Sequence, residues 1–156
     1  IEACSFCNEI FYCSEECKSK SETSLNHNVN FHKFECKILQ NLLHNLGIAH
    51  LAYRILNSTS SDLIDKYFSI EKEKMFTKNL IDINYKSENE LDYEQIFYLM
   101  THEKDTHIED LFKYSLTAIL LAKHFLNITK QNDSYSLLKV SCLILRHLMQ
   151  TICNAH

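Results

Sequence analysis

The chain has 156 residues, 46% apolar and 23% charged, with a formal net charge of −4, one glycine and no proline. That is too apolar for disorder and long enough for one domain or two small ones, while Gly47 alone cannot supply the tight turns and phosphate-approaching loops of a β-sandwich, a barrel, a P-loop protein or a dinucleotide-binding fold. The mildly acidic balance offers no basic field to nucleic acid or anionic lipid, and the longest apolar run, Leu116 to Leu126, is broken by Lys123 and His124 and is too short to span a bilayer.

The chain opens at Ile1 with neither Met nor a signal-like segment, so we expect a piece of a longer protein. Five of its seven cysteines fall in the first 36 residues, an odd total that argues against a disulfide framework and for metal in a cytoplasmic or nuclear setting. Cys4 and Cys7 form a C-x2-C pair, which a tight turn brings onto one ion. Cys13 and Cys17 form a C-x3-C pair, and His32 and Cys36 an H-x3-C pair; at i and i+4 of a helix such residues share one face. Thiolates with one imidazole suit tetrahedral Zn²⁺, so the candidate ligands are Cys4, Cys7, Cys13, Cys17, His32 and Cys36. Six donors complete one tetrahedral site and leave half of another. The competing readings are buried packing thiols, and His27 in place of His32, although His27 lacks the helical partner spacing. The Ser/Asn-rich stretch around Lys18 to Asn30 reads as a loop insertion.

The remainder is helical in period. Apolar residues recur at Phe34, Ile38, Leu42, Leu46, Ala49, Tyr53 and Leu56, with Gly47 marking a bend or break. Ser60 or Ser61 can cap a helix running to about Lys78, Leu80 to Asn89 reads as loop, and Leu91 to Met100 as a short helix. Thr106 with Glu109 makes a capping box ahead of a long apolar face from Ile108 to Leu126. Asn132-Asp133-Ser134 breaks the pattern and caps a last helix from Tyr135 to about Ile152. Cys142 falls in that helix's apolar stripe and reads as core. His44, His50, His102, His107 and His124 share no spacing and read as surface or packing residues, and no nucleophile–base arrangement stands out.

The spacing Cys-x2-Cys-x5-Cys-x3-Cys, then His-x3-Cys, with Phe11-Tyr12-Cys13-Ser14-x2-Cys17 inside it, resembles a MYND-type zinc finger. The resemblance continues through Glu35-Cys36-Lys37, Gly47-Ile48-Ala49-His50-x2-Tyr53-Arg54, Tyr93-Glu94-x2-Phe97-x-Leu99 with Thr101-His102, and Arg146-His147-x5-Cys153-Asn154-Ala155-His156. Over nearly the whole chain the pattern is similar to the SET-and-MYND-domain family of lysine methyltransferases.

The resemblance implies a mainly α chain: a small MYND-type zinc module at residues 1–36 without its first C-x2-C pair, a helical insert of a split SET domain at 37–152, and the start of the resumed SET core at 153–156. Ligands interleave in that family, so Cys4, Cys7, His32 and Cys36 are expected to hold one zinc. Cys13 and Cys17 are then left as half a site, open to thiol reagents, with about one tight zinc per chain. The resumed core is expected as a strand near Cys153-Asn154, where Asn154 and the Cys153 backbone would touch S-adenosylmethionine; the plainer reading is that Asn154 ends a helix.

The function so implied is a zinc-containing, S-adenosylmethionine-dependent protein-lysine methyltransferase, of which this chain lacks the catalytic core. Its partner would be a methyl-acceptor protein. The alternative is a non-enzymatic interaction module that binds short proline-containing peptides. DNA binding ranks third, since Lys18, Lys20, Lys33 and Lys37 face six glutamates in residues 1–40.

Overall fold

The computed structural model describes residues 1–23, 32, 35–36, 46–70, 93, 95–129 and 136–154. Strand β1 (Glu2–Ala3) pairs antiparallel with β2 (Phe11–Tyr12), Glu2 opposite Tyr12 and Ala3 opposite Phe11. The Cys4 amide donates to the Ile10 carbonyl at 2.8 Å and the Asn8 amide to the Cys4 carbonyl at 3.2 Å, closing a knuckle around the C-x2-C pair. Asn8 takes φ +56, a left-handed conformation that asparagine tolerates better than most residues.

Helix α1 (Glu15–Thr23) follows at once. The Ser14 hydroxyl accepts the Cys17 amide at 3.2 Å as an N-cap. Glu15 and Glu16 lie in the first turn, where they suit the helix dipole, and Lys20 pairs with Glu16 at 2.8 Å. Lys18 to Thr23 are therefore helix rather than the start of a loop; Ser24 to Asn30 and His27 lie outside the described residues.

Gly47 turns the chain at φ +50 into α2 (Ala49–Ser58). Ala49, Ala52, Tyr53 and Leu56 form its buried stripe. The Ser60 hydroxyl accepts the Leu63 amide and its carbonyl the Ile64 amide, so Ser60 caps α3 (Ser61–Ile70). Ser60→Ala should lower stability by about 1 kcal/mol, read as a smaller midpoint in urea with an unchanged slope. Phe34 and residues 37–45 of the helical run expected from Phe34 to Leu56, His44 among them, the extension to Lys78, the loop at Leu80 to Asn89 and the Asn132-Asp133-Ser134 break lie outside the described residues.

Tyr93 and residues 95–97 are helical, a turn follows, and a short 3₁₀ turn covers Glu103–Asp105. Helix α4 (Ile108–Thr129) then packs along α5 (Leu137–Asn154), with α2 laid against both. The Thr106 hydroxyl donates back to the His102 carbonyl at 3.0 Å, while the Asp110 and Leu111 amides go to the His107 carbonyl. Thr106 thus braces the turn before α4, a different arrangement from the expected capping box. Helix α5 is capped by Ser136, whose hydroxyl accepts the Lys139 amide at 3.2 Å.

The core joins Tyr53 and Leu56 of α2, Ile64 and Tyr67 of α3, Ala118, Leu121, Ala122 and Phe125 of α4, and Val140, Leu143, Ile144 and Leu148 of α5. Tyr67, Tyr93, Phe97 and Tyr98 add a ring cluster, Tyr67 and Phe97 having centroids 4.6 Å apart. Cys142 is exposed: the buried arc of α5 runs through Val140, Leu143, Ile144, His147 and Leu148, and residue 142 projects from the opposite side. The outer face of α4 leaves Ile108, Phe112, Leu116, Ile119 and Leu120 exposed, at spacings of three and four. No helix among the described residues is long and apolar enough to cross a membrane.

Candidate metal centre

Cys4 and Cys7 come from the hairpin knuckle, His32 and Cys36 from one helical turn closed by the Cys36 amide donating to the His32 carbonyl at 2.7 Å. The two pairs meet: one ligand atom from each of Cys4, Cys7, His32 and Cys36 lies within 4.8 Å of every other. Cys4 Sγ is 3.6 Å from Cys36 Sγ and 3.2 Å from His32 Nε2, which is 3.5 Å from Cys7 Sγ. A tetrahedral zinc with ordinary Zn–S and Zn–N bonds sets its donors roughly 3.6–3.8 Å apart, and these three separations lie within a few tenths of an ångström of that. Three sulfurs and one imidazole nitrogen around a common centre could hold a metal ion.

The thiols also show why a cation suits the cluster. Burial opposes ionisation of Cys4, yet backbone hydrogen bonds from Phe6 and Cys7, then contacts with His32 and Cys36, outweigh it and draw the thiol below its usual range. Cys36 moves the other way, because burial and the neighbouring Cys4 and Cys7 sulfurs resist a second negative charge. A divalent cation removes that conflict and displaces the remaining thiol protons.

Cys13 and Cys17 stand apart from the four. Their sulfurs are 3.0 Å from each other, and both side chains are exposed at the start of α1. The contact from Cys13, then that from Ser14, draws Cys17 below the usual thiol range. In the zinc-loaded chain, an alkylating reagent followed by peptide mass spectrometry should label Cys13 and Cys17 well before Cys4, Cys7 and Cys36. Equal labelling of all five would break this division.

The turn carrying His32 and Cys36 also carries Glu35, a residue that ligand spacing alone does not flag. Its side chain is fully buried, 0% exposed, and its carboxylate accepts His50 Nε2 at 3.2 Å and Arg54 Nη2 at 2.8 Å, with Arg54 Nε at 3.2 and 3.3 Å. Burial alone would raise this carboxyl; the hydrogen bonds from His50 and Arg54, and their charge, hold it below the usual carboxylate range. Of the other histidines, His102 and His107 are exposed, and His124 Nδ1 shares a hydrogen bond with the Tyr53 hydroxyl, 2.7 Å away.

Cys153 and Asn154 form the last turn of α5 rather than a strand. The Cys153 thiol donates to the Thr101 carbonyl at 3.3 Å. The Asn154 amide donates to the carbonyls of Met100 and Gln150 at 3.2 and 2.7 Å. Their side-chain polar atoms fasten α5 to the segment after Phe97. Ala155 and His156 lie outside the described residues. In comparisons with protein-family models, curated proteins and solved structures, nothing matches this chain.

Proposed function

We propose that this chain is the zinc-tied, non-catalytic part of a SET-and-MYND-type protein-lysine methyltransferase, with Zn²⁺ held by Cys4, Cys7, His32 and Cys36. The observation that carries the reading is the division of the six donors. Four converge on one point while Cys13 and Cys17 stay paired elsewhere, the same interleaving that the finger motif implies. The exposed apolar face of α4 adds support, since a contiguous face of that kind suits a unit that packs against further protein. Zinc here is structural: it closes the N-terminal knuckle onto the His32–Cys36 turn and supplies no open coordination position.

Native mass spectrometry of the chain should show one zinc resistant to mild chelation. Labelled S-adenosylmethionine should leave no methyl group on a lysine-rich protein when this chain is the only catalyst. Two tight zincs in a monomer, or methyl transfer by the chain itself, would overturn the proposal. Sequencing the transcript on both sides tests the wider reading: an upstream C-x2-C and a downstream Asn-His-Ser-Cys support it, and a stop codon directly after His156 counts against it.

The second reading, a docking module for proline-containing peptides, is favoured by Phe6 and Phe11. These finger aromatics are 84% and 64% exposed, and exposed rings are what a polyproline helix packs against. A proline-rich peptide that shifts the finger's amide resonances would favour it.

A further inference from the structure

Glu35 lies between two of the proposed ligands in sequence, and its carboxylate bonds to α2. His50 and Arg54 are one turn apart on that helix and both reach it, while Arg54 Nη2 lies 3.0 Å from His50 Nε2. The flanking residues Ala49, Ala52, Tyr53 and Leu56 fix α2 in the main core. A fully buried carboxylate is tolerated only while its partners stay in place. The backbone turn that aims His32 and Cys36 is therefore held in position by a helix belonging to the other unit. Zinc on His32 and Cys36 holds the same turn through the ligands that flank Glu35 in sequence.

From this juxtaposition we infer that Glu35 is a positioning residue that couples metal loading to the helical core. Resting on the zinc reading above, the inference adds that the finger and the helices are not independent. Linkage makes the coupling reciprocal: an intact α2 tightens zinc binding, and bound zinc stabilises α2. Chelation then frees the N-terminal residues and leaves most helicity in place, but it lowers the temperature at which the helices melt.

The test compares the wild-type chain with Glu35→Gln, with Arg54→Met, which breaks the joint from the α2 side, and with the Glu35→Gln/Arg54→Met double variant, which leaves no buried charge unpaired. Zinc affinity is measured by competition with a chromophoric chelator. Melting is followed by far-ultraviolet circular dichroism, with zinc and with EDTA. Each variant that folds should bind zinc about tenfold or more weakly, the usual scale for residues that orient metal ligands, and its zinc-dependent rise in melting temperature should shrink. Wild-type affinity and an undiminished zinc-dependent shift in the variants would overturn the coupling and leave the zinc reading standing. Failure of the wild-type chain to bind zinc would overturn both.

Discussion

Cys4→Ser should weaken zinc binding by about a hundredfold or more, whereas Cys13→Ser should leave it unchanged. Structural zinc sites of this ligand class contribute roughly 10–16 kcal/mol in apparent binding free energy at neutral pH, so one of four ligands carries about 3 kcal/mol. Cys4 is the most enclosed of the three cluster sulfurs and touches both His32 and Cys36, so its loss also removes the contact that joins the knuckle to the ligand turn. Cys13 touches only Cys17 among the six donors, on the exposed start of α1. Competition titrations of the two variants, run side by side at one pH, measure the difference. Equal losses would mean that the six donors work as one cluster.

The second large effect is a loss of stability in mild acid, centred on His147. This residue is fully buried and packs edge-on to Tyr93. Burial, with Arg146 adding to it and the Gln150 hydrogen bond opposing it, pushes its pKa down to about 4. The surrounding bonds fix the neutral tautomer. Gln150 spends its amide protons on the carbonyls of Phe97 and Leu99, so its oxygen accepts from His147 Nδ1–H at 2.9 Å, and Nε2 accepts the Tyr93 hydroxyl at 3.1 Å.

An unfolded histidine titrates near 6.5, so between pH 6.5 and 4 the unfolded chain binds the extra proton and the folded one does not. The contribution is fully present above pH 6.5 and fades as the pH falls towards 4. Its size is about 3 kcal/mol. Urea unfolding at pH 7 and pH 4.5, with EDTA present throughout so that zinc release does not enter, measures it. His147→Asn should be less stable at pH 7 and show a shallower decline. An unchanged decline in that variant would move the acid sensitivity elsewhere.

How much of this is legible in the sequence depends on what kind of signal each feature leaves. The six candidate donors were readable because metal ligation constrains spacing, and 4, 7, 32 and 36 do meet. Helices α2, α4 and α5 were readable because one face of each is buried, which imposes a period of 3.6. Helix α1 escapes that signal for the converse reason: Glu15–Thr23 has almost no apolar residue, and its Ser14 cap and acidic first turn are the available signals. The β1–β2 hairpin consists of two-residue strands, too short to show alternation.

Cys142 reads as core but is exposed, because the stripe of α5 is broad and neighbouring residues 141 and 143 are both buried. Glu35 reads as an ordinary surface glutamate, since its partners lie 15 and 19 positions downstream and only the packing of α2 brings them to it. The bonds of Cys153 and Asn154 depend likewise on a segment more than fifty residues earlier.

X-ray absorption at the zinc edge of the loaded wild-type chain reads the first coordination shell itself. Three sulfurs at about 2.3 Å and one nitrogen at about 2.0–2.1 Å, from Cys4, Cys7, Cys36 and His32, are the expected shell. A first shell of four sulfurs, which would draw on Cys13 or Cys17, or one dominated by nitrogen and oxygen, would contradict it.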